Sequence, residues 1–258
     1  MTQTSPAELY PQPSLDLADY QQFVASTRRP DEYNGAWQQA YAGFIASEQM
    51  EFLMQHGFGA MLLLPRGFEY PGPEPSDELR YRLADETGDL LWLGFDIADR
   101  MGLSTAELCT DSLREFTSAD AAPITNFAEL QDRIMRSAQK IKVINKIGLL
   151  FPEERAAHGH TTLSDDPNYL FMRATQRLCR SLEQGSHDMA PPTASELEPI
   201  QATPASTALY LLTLAYIAKD RLGVSIEDIA RFNMAKLQHR QQFGKQYDLQ
   251  FDSSFIRS

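Results

Sequence analysis

The sequence predicts an all-α protein built from two four-helix units in tandem. Three observations carry that reading. Apolar residues recur at helical spacing along most of the chain, and no convincing strand pattern is present. A polar stretch, TSADAAPIT (117–125), interrupts the helical scheme near the middle, and the scheme then restarts. The segment DRMGLSTAEL (99–108) returns as DRLGVSIEDI (220–229), at an offset of 121. Two weaker echoes keep the same order: LADYQ (17–21) over FAELQ (127–131), and FIASEQMEFLMQHG (44–57) over MRATQRLCRSLEQG (172–185). The expected organisation is a first unit at 1–116, a linker at 117–125 and a second unit at 126–258. Helical units with exposed apolar faces pair with each other, so the two are expected to form a fused pseudo-dimer.

The elements follow in order. Residues 15–27 form a helix with Leu17, Tyr20, Phe23 and Val24 on one stripe. A longer helix spans 37–56 and stops at Gly57. Residues 58–78 (FGAMLLLPRGFEYPGPEPSDE), rich in Gly and Pro, read as a loop or short hairpin. A third helix spans 79–101, with Gly102 just past its end as a terminating glycine. Ser104 opens the fourth helix, with Glu107 three residues on as in a capping box, and it runs to about residue 116. Beyond the linker, helices are expected at 127–146, 169–183, 208–222 and 225–242. Gly223 stops the third of these, and Ser225 with Asp228 caps the fourth. Residues 151–167 read as polar loop, and 185–206 as a Pro- and Ser-rich connection.

Bulk properties narrow the function. The 258 residues suffice for a sizeable core, and 43% hydrophobic with 22% charged residues is an ordinary globular composition. A net charge of −12 argues against polymeric nucleic acid as a partner, because phosphate binding needs a basic excess. An acidic chain still takes nucleotides when metal ions sit between carboxylates and phosphates. Cys109 and Cys179 read as two reduced, mostly buried thiols. No apolar run approaches the ~18 residues of a membrane span. The N-terminal MTQTSPAELYPQPS lacks the basic and apolar regions of a signal peptide, so a cytoplasmic location is the default and no membrane partner is expected.

The chemistry concentrates in LADETGDLLWLGFDIADRMGLS (83–104). Glu86 and Asp89 stand three residues apart among Leu83, Leu90, Leu91, Leu93, Phe95 and Ile97, where carboxylates are costly to bury. Gly88 between them allows close approach of a helix or ligand. A buried structural carboxylate wants a cation, and only Arg82, at i−4 from Glu86, offers one at helical spacing. On the preceding helix Glu48 and Glu51 are also three apart, hence on one face. If the two helices pack antiparallel, four carboxylates converge and repel unless a counter-ion intervenes. Hard divalent cations with oxygen ligands resolve that repulsion, Mg²⁺ above all.

ETGDLLWLGFDIADRMGLS resembles the ELGDLLW-type motif of MazG-like nucleoside triphosphate pyrophosphohydrolases, whose all-α superfamily includes the dimeric dUTPases. The family signature is ExxE followed by ExxD, and both occur here. LDLADYQQFVAST looks like the family's opening helix, and FNMAKLQHR (232–240) resembles its N-x-x-K-L-x-x-R segment. The resemblance implies that Glu48, Glu51, Glu86 and Asp89 hold Mg²⁺, with Mn²⁺ as a substitute. It also implies that Asn233, Lys236 and Arg240 contact phosphates. The implied reaction hydrolyses a (deoxy)nucleoside triphosphate to monophosphate and pyrophosphate, a house-cleaning or pool-controlling role. The general base is expected to be Glu48 or Glu51. A dUTPase-like preference for one nucleotide falls within the class. The competing expectation is a catalytically retired helical module that binds nucleotide or a protein partner without turnover. A fused pseudo-dimer leaves two assemblies open, a monomer and a homodimer resembling the family's tetramers.

The sequence departs from the family pattern twice. Glu51 and Glu86 are separated by 34 residues, more than is usual, so the 58–78 insert is expected to lengthen a loop over the site and to bring Arg66 within reach of phosphate. The halves are also unequal. Glu48 and Glu51 align with Gln176 and Cys179, and Glu86 and Asp89 with Thr207 and Tyr210, while Asn233 and Lys236 align with Ser112 and Glu115. The complementary losses predict one composite site, with carboxylates from the first half and Asn233, Lys236 and Arg240 from the second. Elsewhere, Arg133, Arg136, Lys140, Lys142 and Lys146 read as a solvated basic face. Trp37 and Trp92 read as core residues, and His158 and His160 as surface residues.

Overall fold

The structure, a computed structural model, describes residues 13–28, 37–55, 76–117, 122–146, 167–185 and 197–244. All regular secondary structure among them is helical: α1 (Leu17–Thr27), α2 (Trp37–Gln55), α3 (Asp77–Arg100), α4 (Thr105–Thr117), α5 (Phe127–Lys146), α6 (Pro167–Gly185), α7 (Leu197–Asp220) and α8 (Ile226–Phe243). One isolated antiparallel bridge joins Asp16 and Asn126. No helix among the described residues is long and apolar enough to cross a membrane.

The fold centres on α3 and α7. Residues 206–218 of α7 and 93–98 of α3 are buried on every side, as expected of helices apolar around their circumference. The two pack against each other at Gly94, where an added Cβ would stand 2.7 Å from Leu211 Cδ2 and 3.0 Å from Tyr210 Cε1. Around this pair α2 packs on α3 and α6, α6 on α7, α4 and α5 on α7, and α1 and α8 on α3. The ring of Tyr20 from α1 meets Phe95 and Phe127 edge-on, at 4.8 and 5.4 Å between centroids.

The echoed segments do the same structural work. Leu17 N donates to Thr125 O at 2.9 Å, and Phe127 N donates to Leu15 O at 3.1 Å. Gln21 from α1 caps α4, its Oε1 accepting from Thr105 N at 3.0 Å; Gln131 from α5 caps α8, its Oε1 accepting from Ile226 N at 3.0 Å. Ser104 Oγ accepts from Glu107 N at 3.3 Å, and Ser225 Oγ from Asp228 N at 3.0 Å, so both expected caps are present. Gly102 and Gly223, at φ 70° and 67°, occupy the left-handed region that closes α3 and α7. Each pair of helices, α3 with α7 and α2 with α6, has equal length, 24 and 19 residues.

The helices α3 and α6 start two residues before the expected 79 and 169, and two further starts differ for a tertiary reason. The first helix begins at Leu17, because the Leu15 carbonyl is engaged by Phe127 across the bridge. The third helix of the second half was expected at residue 208 but begins at Leu197 and carries Pro204 inside it. Tertiary packing overrides the local breaker: Thr203 and Ser206 are buried, and Thr203 Oγ1 donates to Ser181 O of α6 at 3.4 Å. The expected 58–78 loop lies outside the described residues up to 75, and Ser76 then caps α3 by accepting from Leu79 N at 3.3 Å. The polar loop expected at 151–167 also lies outside them, save Pro167, as do residues 118–121 of the expected linker. Cys109 is buried and Cys179 partly so, and neither forms a disulfide.

Candidate metal centre

The geometry of the site begins with how α2 is fixed on α3. Asp96, fully buried on α3, accepts from Tyr41 of α2 and pairs with Arg28 and Arg100. The Arg100 guanidinium also lies over the rings of Trp37 and Tyr41, 5.5 and 5.0 Å from their centroids. Trp37 and Trp92 pack against the core as partly buried residues, and Trp92 Nε1 donates to Thr27 Oγ1 at 3.0 Å. Glu48 follows Tyr41 by two helical turns, on the same side of α2.

Glu48, Glu51 and Glu86 come together. Each offers a carboxylate oxygen, and the three oxygens lie within 4.8 Å of one another. Glu48 and Glu86 are partly buried, whereas Glu51 is exposed. The Glu48 carboxyl is pushed up to about 7, first by burial and then by the charges of Asp89, Glu51 and Glu86, with Lys236 opposing. Among the neighbouring carboxylates Asp89 acts on it most strongly, although Asp89 stands outside the tight trio.

Asp89 is engaged from α8. Its Oδ1 accepts from Asn233 Nδ2 at 3.1 Å and faces Lys236 Nζ at 2.7 Å. Lys236 also reaches Asp85 Oδ1 at 2.5 Å. Burial pulls the Lys236 ammonium down, but Asp89 and Asp85 more than offset it, so it is held above its ordinary range and is charged. Asn233, fully buried, is oriented by α1: Tyr20 OH donates to its Oδ1 at 3.0 Å, which leaves its NH₂ for Asp89. Gly88 admits α8, since a Cβ there would stand 3.3 Å from both Asn233 Cβ and Nδ2. Arg240 lies one turn beyond Lys236 on α8, and its charge acts on Asp85.

The cation that faces Asp85 and Asp89 of α3 therefore comes from α8. Arg82, the partner expected from helical spacing, pairs with Glu78 at 2.5 Å, one turn back on its own exposed face. Asp85 is the residue that reading by motif missed. The signal is present as D85-x-x-x-D89, an i,i+4 pair that the overlapping ExxD pattern conceals.

The aligned positions of the second half carry no charge. Gln176 is exposed, Cys179 is partly buried, and Thr207 and Tyr210 are fully buried. Tyr210 OH donates to Leu90 O at 3.0 Å, and its ring lies 6.2 Å from that of Phe171. Ser112, aligned with Asn233, is buried on α4. Arg136 pairs with Asp132 on the exposed face of α5, whereas Arg133, expected on that face, is partly buried and bonds to Glu129 and to Ala122 O. The side chains of Lys140, Lys142 and Lys146, and residues Arg66, His158 and His160, lie outside those described. No family model matches the chain, and no curated protein or solved structure matches it.

Proposed function

We propose that the chain is a MazG-like, divalent-metal-dependent hydrolase that converts a (deoxy)nucleoside triphosphate to the monophosphate and pyrophosphate. The observation that carries this reading is the convergence of Glu48, Glu51 and Glu86 within 4.8 Å. The donor set fits a hard ion, being all carboxylate oxygen. The Glu48 carboxyl, held up at about 7 by burial and then by its acidic neighbours, supports the fit, because a cation would stabilise the charged form against both. Asp89 is the fourth ligand in this reading, with Oδ1 committed to α8 and Oδ2 left for the ion. Mg²⁺ suits the site, with Mn²⁺ as a substitute.

The chemistry such an ion supplies is charge neutralisation on the triphosphate and a more acidic attacking water. The chain's own groups do the rest. Glu48, the more buried glutamate of α2, takes a proton from the water as its oxygen bonds to phosphorus. The bridging P–O bond breaks and pyrophosphate leaves. Arg240 of α8, partly buried, supplies positive charge for the phosphates, while Lys236, buried against Asp85 and Asp89, and Asn233 keep Asp89 in place.

The same reading makes the chain a tandem pair of four-helix units with one composite site. Its support is the reciprocity of the α1 and α5 hydrogen bonds and the parallel capping by Gln21 and Gln131. The neutral residues at the aligned positions of the second half support a single site. The test is incubation with Mg²⁺ and each NTP and dNTP, with assay of pyrophosphate and Glu86→Gln as control. Pyrophosphate from one or more nucleotides, abolished in Glu86→Gln, is the expected result. Silence across the panel at high protein concentration refutes hydrolysis and leaves a binding module.

A further inference from the structure

Asp85 has no place in the ExxD pattern, yet it makes the closest contact with the ammonium at the centre of the site. Lys236 Nζ lies 2.5 Å from Asp85 Oδ1 and 2.7 Å from Asp89 Oδ1. The Lys236 side chain is 1% exposed, so its charge depends on these partners for solvation. Both α8 contacts to Asp89 fall on Oδ1. A cation taken up by Asp89 withdraws charge from that carboxylate and weakens its hold on Lys236, and a buried ammonium with one weakened partner is costly. Asp85 stands one helical turn before Asp89, so both carboxylates reach the same Nζ with neither helix moving. The Arg240 charge, which also acts on Asp85, lies further along α8.

We propose that Asp85 is a positioning residue that holds the Lys236 ammonium in place when Asp89 is drawn to a divalent cation. The inference rests on the reading of Glu48, Glu51, Glu86 and Asp89 as a cation site. With Asp85 present, cation and ammonium share Asp89, one oxygen each. Without it, Lys236 keeps Asp89 as its one ion-pair partner beside the Phe232 ring, 5.8 Å away, and competes with the cation for that carboxylate.

The experiment uses the full chain and Mg²⁺ alone, titrated calorimetrically into wild type, Asp85→Asn, Lys236→Met and the double variant. Asp85→Asn is expected to weaken Mg²⁺ binding roughly tenfold, the scale of losing an outer-sphere partner at a metal site. In the Lys236→Met background the same change is expected to cost only roughly two- to threefold, from charge loss alone. Equal losses in both backgrounds overturn the proposal. A second readout is independent of whether Lys236→Met folds: the ¹⁵N-labelled Lys236 ammonium signal is expected to survive Mg²⁺ saturation in wild type and to vanish in Asp85→Asn. Survival in both refutes the role of Asp85. Mg²⁺ binding equally to wild type and Asp85→Asn removes that role and leaves the cation site standing, whereas no Mg²⁺ binding to wild type removes both.

Discussion

Replacing Glu48 by Gln removes a charge and keeps the shape, so it isolates the cost of ionising a half-buried carboxyl beside other carboxylates. The Glu48 carboxyl sits at about 7 against an ordinary 4.5. A folded-state value above the unfolded one means that the protonated form favours folding. That stability is fully present below about pH 4.5 and is lost as the pH rises through about 7. The displacement corresponds to roughly 3 kcal/mol at about 1.4 kcal/mol per pH unit. Glu48 is only partly buried, and solvent screening reduces this to roughly 1–2 kcal/mol. Gln cannot ionise and loses nothing. At pH 8 with chelator present, Glu48→Gln is therefore expected to melt roughly 2–8 °C above wild type, at ~2–4 °C per kcal/mol for a domain of this size. At pH 4.5 the gap should close. Addition of Mg²⁺ at pH 8 should raise the wild-type melting temperature and leave the variant nearly unmoved. Scanning calorimetry at the two pH values decides. A variant no more stable than wild type at pH 8, or an advantage equal at both, would refute the electrostatic account.

Other perturbations separate the site from the scaffold. Mg²⁺ uptake by wild type should release about half a proton at pH 7 and more below it, measured by calorimetry in buffers of different ionisation enthalpy, because Glu48 must deprotonate to bind. Lys236→Met should lower stability by about 3 kcal/mol, read from urea unfolding, since it strips Asp85 and Asp89 of a buried counter-charge. Gly94→Ala, whose Cβ would stand 2.7 Å from Leu211 Cδ2, should cost about 1–3 kcal/mol in the same assay. Gly88→Ala meets only Asn233, at 3.3 Å, and the helix propensity gained offsets much of the crowding, so stability should change by less than about 1 kcal/mol. Its expected effect is on pyrophosphate release, through displacement of Asn233 from Asp89.

Much of the scaffold is legible in the one-dimensional pattern because it depends on local chemistry. Gly102 and Gly223 close helices because a residue at positive φ is needed there, and glycine adopts it without strain. Ser104 and Ser225 cap helices within three residues of themselves. The α7 start was illegible because Pro204 and the residues before it form a helix only through burial of Thr203 and Ser206, with Thr203 bonded to α6. The repeated Gln of LADYQ and FAELQ was visible as an echo, but its capping work links α1 to α4 and α5 to α8 across long separations.

The candidate site divides in the same way. By itself, the sequence determined that Glu48 with Glu51, and Glu86 with Asp89, share helix faces, since i,i+3 spacing places residues side by side on any α-helix. It also singled out Asn233 and Lys236 through their motif. Helix packing alone crowds three of the carboxylates within 4.8 Å and turns Asp89 to α8. It sets Lys236 against Asp89 and brings in Asp85, while Arg82 pairs with Glu78. The reason is physical: a charge within a helical turn is visible from spacing, whereas one from α8 depends on Gly88 letting that helix approach, and so on packing.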